Sequence, residues 1–231
     1  MSEISLAGMV APIARQSNLG ELAYARLKDI IIRGAYPADQ KLTVRSVAAA
    51  LGVSTTPARD AINRLLAEGA LVNEGPKTVV LPLLTLEALE EITATRLALE
   101  GLAAERSALN ATLGDLAQLE MLQGKINSGL DDRDYRAVLH ANYEFHFLIY
   151  GRSGWARLVA IIESLWLRIG PSFHDLYPEF ATTRKGVSNH MSAMDGLRRK
   201  NGAKVRRAME QDIKDGYVRL SAMLRARAKI S

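Results

Sequence analysis

Residues 42–69 read LTVRSVAAALGVSTTPARDAINRLLAEG, and this stretch decides the fold. Thr43 is a favourable N-cap ahead of Val44, Val47, Ala48 and Leu51, which share one helical face. Gly52 stops that helix, since glycine takes the left-handed conformation without steric cost. Ser54 is placed to cap the next helix, where Pro57 is tolerated because first-turn N–H groups have no intrahelical acceptor. Ala58, Ala61, Ile62 and Leu65 form its inner stripe, Thr55, Thr56, Arg59 and Asn63 fall on other faces, and Gly69 closes it. Two short helices about a tight turn, the second with a polar and basic free face, make a helix-turn-helix.

Upstream, Leu22, Leu27, Ile30 and Ile31 recur at helical spacing between Leu19 and Arg33, with Gly34 as a stop. Gly34–Asp39, containing Pro37, reads as a turn, and residues 1–18 as a loose arm. Downstream, the β-prone runs Ala70–Val72 and Thr78–Leu81 flank Asn73-Glu74-Gly75-Pro76-Lys77. Turn residues between two such runs predict a hairpin, and a hairpin after a helix-turn-helix is a wing. Pro82–Thr85 marks a domain boundary. Beyond it Leu86–Asn110, Thr112–Ser128, Asp131–Tyr150, Gly154–Gly170, Ala181–Lys200 and Ala203–Lys229 each read as a helix. The expected fold is mainly α: a winged helix-turn-helix over residues 19–82, then an all-helical antiparallel bundle over residues 83–231.

The chain has 231 residues, 48% hydrophobic and 24% charged, which places it among ordinary globular proteins. It has no cysteine, which excludes a disulfide framework and a thiolate metal site. The formal charge of +5 is compatible with a polyanionic partner without requiring one. The apolar run Leu6–Ala14 follows Glu3 rather than a basic residue, unlike a secretory signal, and no stretch approaches bilayer-spanning length. A cytoplasmic location is the simplest expectation.

A recognition helix must present short polar or basic side chains where its N-terminal end enters the major groove. Ser54, Thr55, Thr56 and Arg59 meet that demand. Hydroxyls and a helix N-terminus hold phosphate oxygens, and Arg59 is placed to reach guanine O6/N7 or a phosphate. Arg45, on the preceding helix, is placed for the DNA backbone, and Lys77 at the wing tip for the minor groove or a phosphate. One wing and one helix read only a few base pairs, so a homodimer on a pseudo-palindromic operator is expected.

Val53-Ser54-Thr55-Thr56-Pro57-Ala58-Arg59-Asp60-Ala61-Ile62, with Arg64-Leu65 and Glu68-Gly69, resembles the winged-helix signature of GntR-type bacterial regulators. Leu84-Thr85-Leu86-Glu87-Ala88-Leu89 followed by Arg96-x-x-Leu99-Glu100 is similar to the start of the helical effector domain of the FadR subgroup, called FCD. The resemblance implies DNA contacts from Arg45, Thr55, Arg59 and the wing. It also implies a regulator, more often a repressor, controlled by a small carboxylate such as a sugar acid, hydroxy acid or dicarboxylate. The chain departs from the pattern at Thr55, where a basic residue is common, and at Pro37-Ala38-Asp39, where a Pro-Gly turn is usual.

Asn142 and His146 lie one turn apart on a helix face. The FCD resemblance implies a metal set of Asn142, His146, His190 and Asp212, the last standing where a third histidine is usual. Imidazoles with a carboxylate suit Zn²⁺, and also Ni²⁺ or Mn²⁺, whereas an amide is the poorer ligand. His140 falls off the Asn142/His146 face and His174 follows a proline-containing loop, so neither joins the set. Arg96 has two readings: an ion pair with Glu100 one turn on, or an effector-binding guanidinium that clamps an organic acid. A competing class is a helical metalloenzyme using His146, His190 and Asp212, with an open coordination position but no general base or nucleophile grouped beside it.

Overall fold

Tyr24 sets the pose of the first helix. A computed structural model describes residues 19–34, 36, 40–173 and 182–229. The expected arm over residues 1–18, most of the Gly34–Asp39 turn, His174 and Ala181 lie outside the described residues. Helix α1 (Leu19–Ile32) buries Ala23, Tyr24, Leu27, Ile31 and Ile32. Leu22 and Ile30, expected on the inner face, are instead exposed. The Tyr24 hydroxyl donates at 2.8 Å to Glu68, near the end of the helix-turn-helix, which turns the Tyr24 side inward and Leu22 out.

Helix α2 (Val44–Leu51) begins with a reciprocal capping box between Thr43 and Ser46 and ends at Gly52, whose φ of 64° requires the left-handed region. Helix α3 (Thr55–Ala67) buries Pro57, Ala58, Ala61, Ile62 and Leu65. Ser54 occupies its N-cap position but makes no side-chain cap bond, contrary to the expected cap. Strands β1 (Val72–Gly75) and β2 (Thr78–Val80) pair antiparallel, Val72 opposite Val80 and Gly75 opposite Thr78. The first strand starts later than the expected Ala70. Ala70 and Leu71 are buried and both donate their N–H to the Leu65 carbonyl, so they finish the helix end instead of pairing. Leu42 adds a single-residue bridge to Val79, a pairing that no alternation signalled. Together these elements form the winged helix-turn-helix.

Six further helices follow among the described residues: α4 (Leu86–Asn110), α5 (Leu113–Asp131), α6 (Tyr135–Gly151), α7 (Ala156–Phe173), α8 (Lys185–Arg198) and α9 (Gly202–Ala228). Thr85, Thr112, Asp134 and Asn201 each accept a backbone N–H at an N-cap, which fixes four of the six starts. That cap at Asp134 explains why α6 begins after the expected Asp131. Helix α7 runs through Pro171 to Phe173 instead of ending at Gly170. The bundle packs α9 along α4 and α8, α5 along α6, and α7 across α4 and α6.

Helix α1 docks on α7. Lys28 pairs with Glu163 at 2.6 Å, and Glu163 also accepts from the Tyr143 hydroxyl at 3.1 Å. At Gly170 the two backbones approach so closely that a Cβ would sit 2.5 Å from the Ile32 carbonyl oxygen. Alanine normally improves a helix interior by about 1 kcal/mol over glycine. Here the clash is with backbone, and overpacking of this kind costs about 1–3 kcal/mol. Gly170→Ala is therefore expected to lower the thermal midpoint of the full chain, and an unchanged or raised midpoint would contradict the close approach.

Candidate functional site

Two regions gather the chemistry. On the winged helix, Ser54, Thr55, Thr56 and Arg59 are all exposed at the start of α3, as are Arg45 on α2 and Lys77 at the hairpin turn. Thr55 and Arg59 are one turn apart, away from the stripe that packs inward. Nearby cations are already engaged. Arg64 lies 3.4 Å from both Glu21 and Glu68 and covers the Tyr24 ring, and Lys41 pairs with Glu74 at 3.1 Å. Arg45, Arg59 and Lys77 make no ion pair among the described residues.

The second region is a cavity inside the helical bundle. Thr93 and Arg96 of α4, Leu139, Asn142 and His146 of α6, Trp166, Ile169 and Phe173 of α7, and Asp212, Ile213 and Tyr217 of α9 all line it. His146 and Asp212 meet at its wall and the buried His190 lies beside them, one ligand atom of each within 4.8 Å of the others. His146 Nε2 lies 3.3 Å from His190 Nε2 and 3.4 Å from Asp212 Oδ2. Asn142 lines the same cavity one turn before His146. His140 stays outside the group, exposed and 3.2 Å from Glu144.

The partners of the imidazoles fix where their protons sit. Glu100 is fully buried and accepts from Arg96 Nε at 2.5 Å and Nη2 at 3.2 Å, from the Tyr150 hydroxyl at 2.6 Å and from Trp166 Nε1 at 3.0 Å. Because the Tyr150 hydroxyl gives its proton to Glu100, it accepts from His146 Nδ1 at 3.0 Å. His190 Nδ1 donates to the Gln123 amide oxygen at 2.8 Å. Both Nε2 atoms therefore carry lone pairs, and those lone pairs face each other and a carboxylate. Such a set is repulsive until a proton or a cation enters it. The donor chemistry fits a divalent ion of the zinc class: two neutral imidazoles and a carboxylate, each imidazole oriented from behind by its other nitrogen.

Arg96 forms the expected ion pair with Glu100 and also borders the cavity. Its Nε and Nη2 hold Glu100, yet it also lines the cavity and stacks near Trp166 and Phe173. A guanidinium has five donors, so the pairing leaves some for a ligand. Arg96 and Glu100, and likewise His146 and Tyr150, are separated by four residues, a spacing readable in the chain. Gln123, Trp166 and Tyr217 join the site without any local mark in the sequence.

Burial pushes the His190 imidazole down to about 3, with His146 lowering it further against the opposing pull of Asp212. Burial opposes charge on Asp212, but the nearby imidazoles of His146 and His190 and the donating Asn189 amide hold its carboxyl below the usual value. Both groups bind fewer protons folded than unfolded, so both contribute stability that is complete above the unfolded values and is lost as pH falls. The chelated protein is expected to lose stability progressively from about pH 6.5 toward 3, the window set by His190. Thermal midpoints across that range check it, and a midpoint that rises on acidification would contradict the neutral imidazole.

A winged helix-turn-helix joined to a helical bundle with an internal ligand cavity defines a class, the DNA-binding transcriptional regulator with an effector domain. Residues 19–78 match the model of bacterial regulatory proteins of the gntR family, and residues 91–215 match the FCD domain. The HTH-type transcriptional regulator McbR of Escherichia coli K12 is 32% identical over 177 residues, spanning 76% of this chain and 80% of the relative. The uncharacterized HTH-type transcriptional regulator YdhC of Bacillus subtilis 168 is 28% identical over 144 residues, 61% of this chain and 63% of that one. The solved structure of E. coli McbR/YncC superposes with a TM-score of 0.83 at 28% identity, covering 90% of this chain and 99% of that one. A putative transcriptional regulator GntR from Rhodococcus sp. RHA1 shares the fold, with a TM-score of 0.71 at 19% identity over 89% of this chain and 98% of that one.

The chain belongs to the gntR family of bacterial transcriptional regulators and carries an FCD effector-binding domain. Its relatives are regulators, which replaces the metalloenzyme reading of His146, His190 and Asp212. No described helix is long and apolar enough to cross a membrane.

Proposed function

We propose that this regulator is a homodimeric repressor whose grip on a pseudo-palindromic operator is set by a small organic acid bound at a cation in the FCD cavity. Residues 19–82 read the DNA and residues 83–231 bind the effector and dimerise. The observation that carries the reading is the convergence of two bare Nε2 lone pairs and a carboxylate beside the buried Arg96. His146, His190 and Asp212 would hold the ion, with Asn142 at the cavity wall, and Arg96 would hold an acid's carboxylate. When bound, a divalent ion supplies a fixed positive charge that attracts a carboxylate in a low-dielectric site. Tyr150 and Gln123 keep both imidazoles turned toward it.

Helix α7 is the route outward. It presents Trp166, Ile169 and Phe173 to the cavity, and Glu163 and Gly170 to α1 of the winged helix. A ligand that shifts α7 displaces α1, and with it α3. On the DNA side, Ser54, Thr55, Thr56, Arg59, Arg45 and Lys77 make the contacts, Arg59 at a base edge or phosphate.

Elemental analysis of protein purified without chelator tests the cavity. About one divalent ion per chain is expected, falling to near none in His146→Ala, while an ion-free wild-type protein that still responds to acids would refute the cation. Fluorescence anisotropy on the gene's own upstream DNA tests the other half. Arg59→Ala is expected to weaken binding by about 1–3 kcal/mol if it clamps a guanine. If it holds a phosphate instead, the salt slope should drop by about one. An Arg59→Ala protein with unchanged affinity and unchanged slope would remove Arg59 from the interface.

A further inference from the structure

A second cleft opens where the winged helix meets the bundle. Its volume is about 890 Å³, and it lies between α1 on one side and α5 and α6 on the other. The space persists because Gly124 and Ser128 on α5, and Ala137 and Ala141 on α6, carry little side chain to fill it. Each of the three elements brings one cation: Arg33 just past the end of α1, Lys125 on α5 and Arg136 on α6. Arg33 is held in place, since its Nε donates to Asp29 at 2.5 Å and its guanidinium lies 5.5 Å from the centre of the Tyr143 ring. Neither of its terminal nitrogens has a partner among the described residues, and Nη1 is buried. A buried charged donor without an acceptor is costly, and beside a cleft it points to a missing anion. Lys125 and Arg136 are exposed and make no ion pair among the described residues. The acids of the cleft are mostly committed: Asp29 to Arg33 and Asp134 to capping α6, which leaves Asp132.

We infer that this cleft is a second ligand site, separate from the histidine cavity, and that it takes a phosphate monoester of up to nucleotide size. A phosphate group offers three strong acceptor oxygens at nearly two negative charges. A guanidinium grips two such oxygens at once, and a lysine adds a point charge. Three uncommitted cations match that group better than they match a single carboxylate. Asp132 and the Ser128 hydroxyl are left for the hydroxyls of the ester's alcohol part. The volume falls within the roughly 300–1,000 Å³ of ordinary small-molecule sites. Lys28 and Ile32 already meet α7 from the same helix that brings Asp29 and Ile30 to the cleft. A ligand here therefore pins the winged helix to α5 and α6 on a second side.

Calorimetry on the full chain, stripped of metal and dialysed free of chelator, tests this. The ligands are adenosine monophosphate and glucose 6-phosphate, with adenosine and glucose as uncharged controls. At least one monoester is expected to bind, at least roughly tenfold tighter than its control, the margin of one charge-assisted hydrogen bond. A Cβ at Gly124 meets nothing within 4 Å, so Gly124→Leu fills the cleft without disturbing the packing around it. It should weaken monoester binding by roughly tenfold or more, and Arg136→Gln, which breaks no ion pair, by a similar margin. Monoester binding that ignores both substitutions puts the site elsewhere and overturns the inference, and so does failure of both monoesters to bind. Because the protein is metal-free throughout, neither result bears on the reading of the histidine cavity.

Discussion

Glu100 holds the effector domain together from its centre. A carboxylate with no exposure to water costs several kcal/mol to bury unless each of its lone pairs finds a donor. Here Arg96 grips it with two nitrogens, and Tyr150 and Trp166 supply two more donors, so that one side chain of α4 ties in α6 and α7. The consequence reaches the histidines. A Tyr150 hydroxyl committed to Glu100 has only its acceptor side left for His146, and this turns the His146 Nε2 lone pair toward His190 and Asp212. Removing one partner would leave the charge buried and uncompensated, which costs far more than the pair contributes in net stability.

The same helix that feels the cavity carries the winged helix on its back. Trp166 touches the imidazole of His146, with ring centres 5.1 Å apart, while Glu163 one turn earlier and Gly170 one turn later hold α1. Tyr143, one turn from Phe147 on α6, closes the connection by donating to Glu163 and lying against Trp166. These are packed contacts of side chains and backbone with little slack, so a shift of α7 has to be absorbed at α1. An effector changes DNA affinity only by the difference in its own affinity for the two arrangements, commonly about 1–3 kcal/mol.

Much of this was legible in the chain because the signals were local. The Thr43 cap, the Gly52 stop and the apolar stripe of Ala58, Ala61, Ile62 and Leu65 are all decided within a few residues, and the structure reproduces them. The Arg96/Glu100 and Asn142/His146 spacings likewise need only the period of a helix. Where expectation failed, a distant contact had decided. Leu22 faces out because Tyr24 finds Glu68, forty-four positions away. Ala70 and Leu71 leave the strand because Leu65 takes their N–H groups. Gln123 and Trp166 became site residues only once α5 and α7 were packed against their neighbours, and no pattern in the sequence announces them.

Binding of labelled upstream DNA to the metal-loaded full chain, followed by anisotropy as a small organic acid is added, tests the central claim most directly. The affinity is expected to change by roughly tenfold, within the usual range of coupling between sites, and the change should shrink when Glu163→Gln loosens the hold of α7 on α1. Identical isotherms with and without saturating acid, on protein shown to bind that acid, would contradict control of the DNA-reading helices by the cavity.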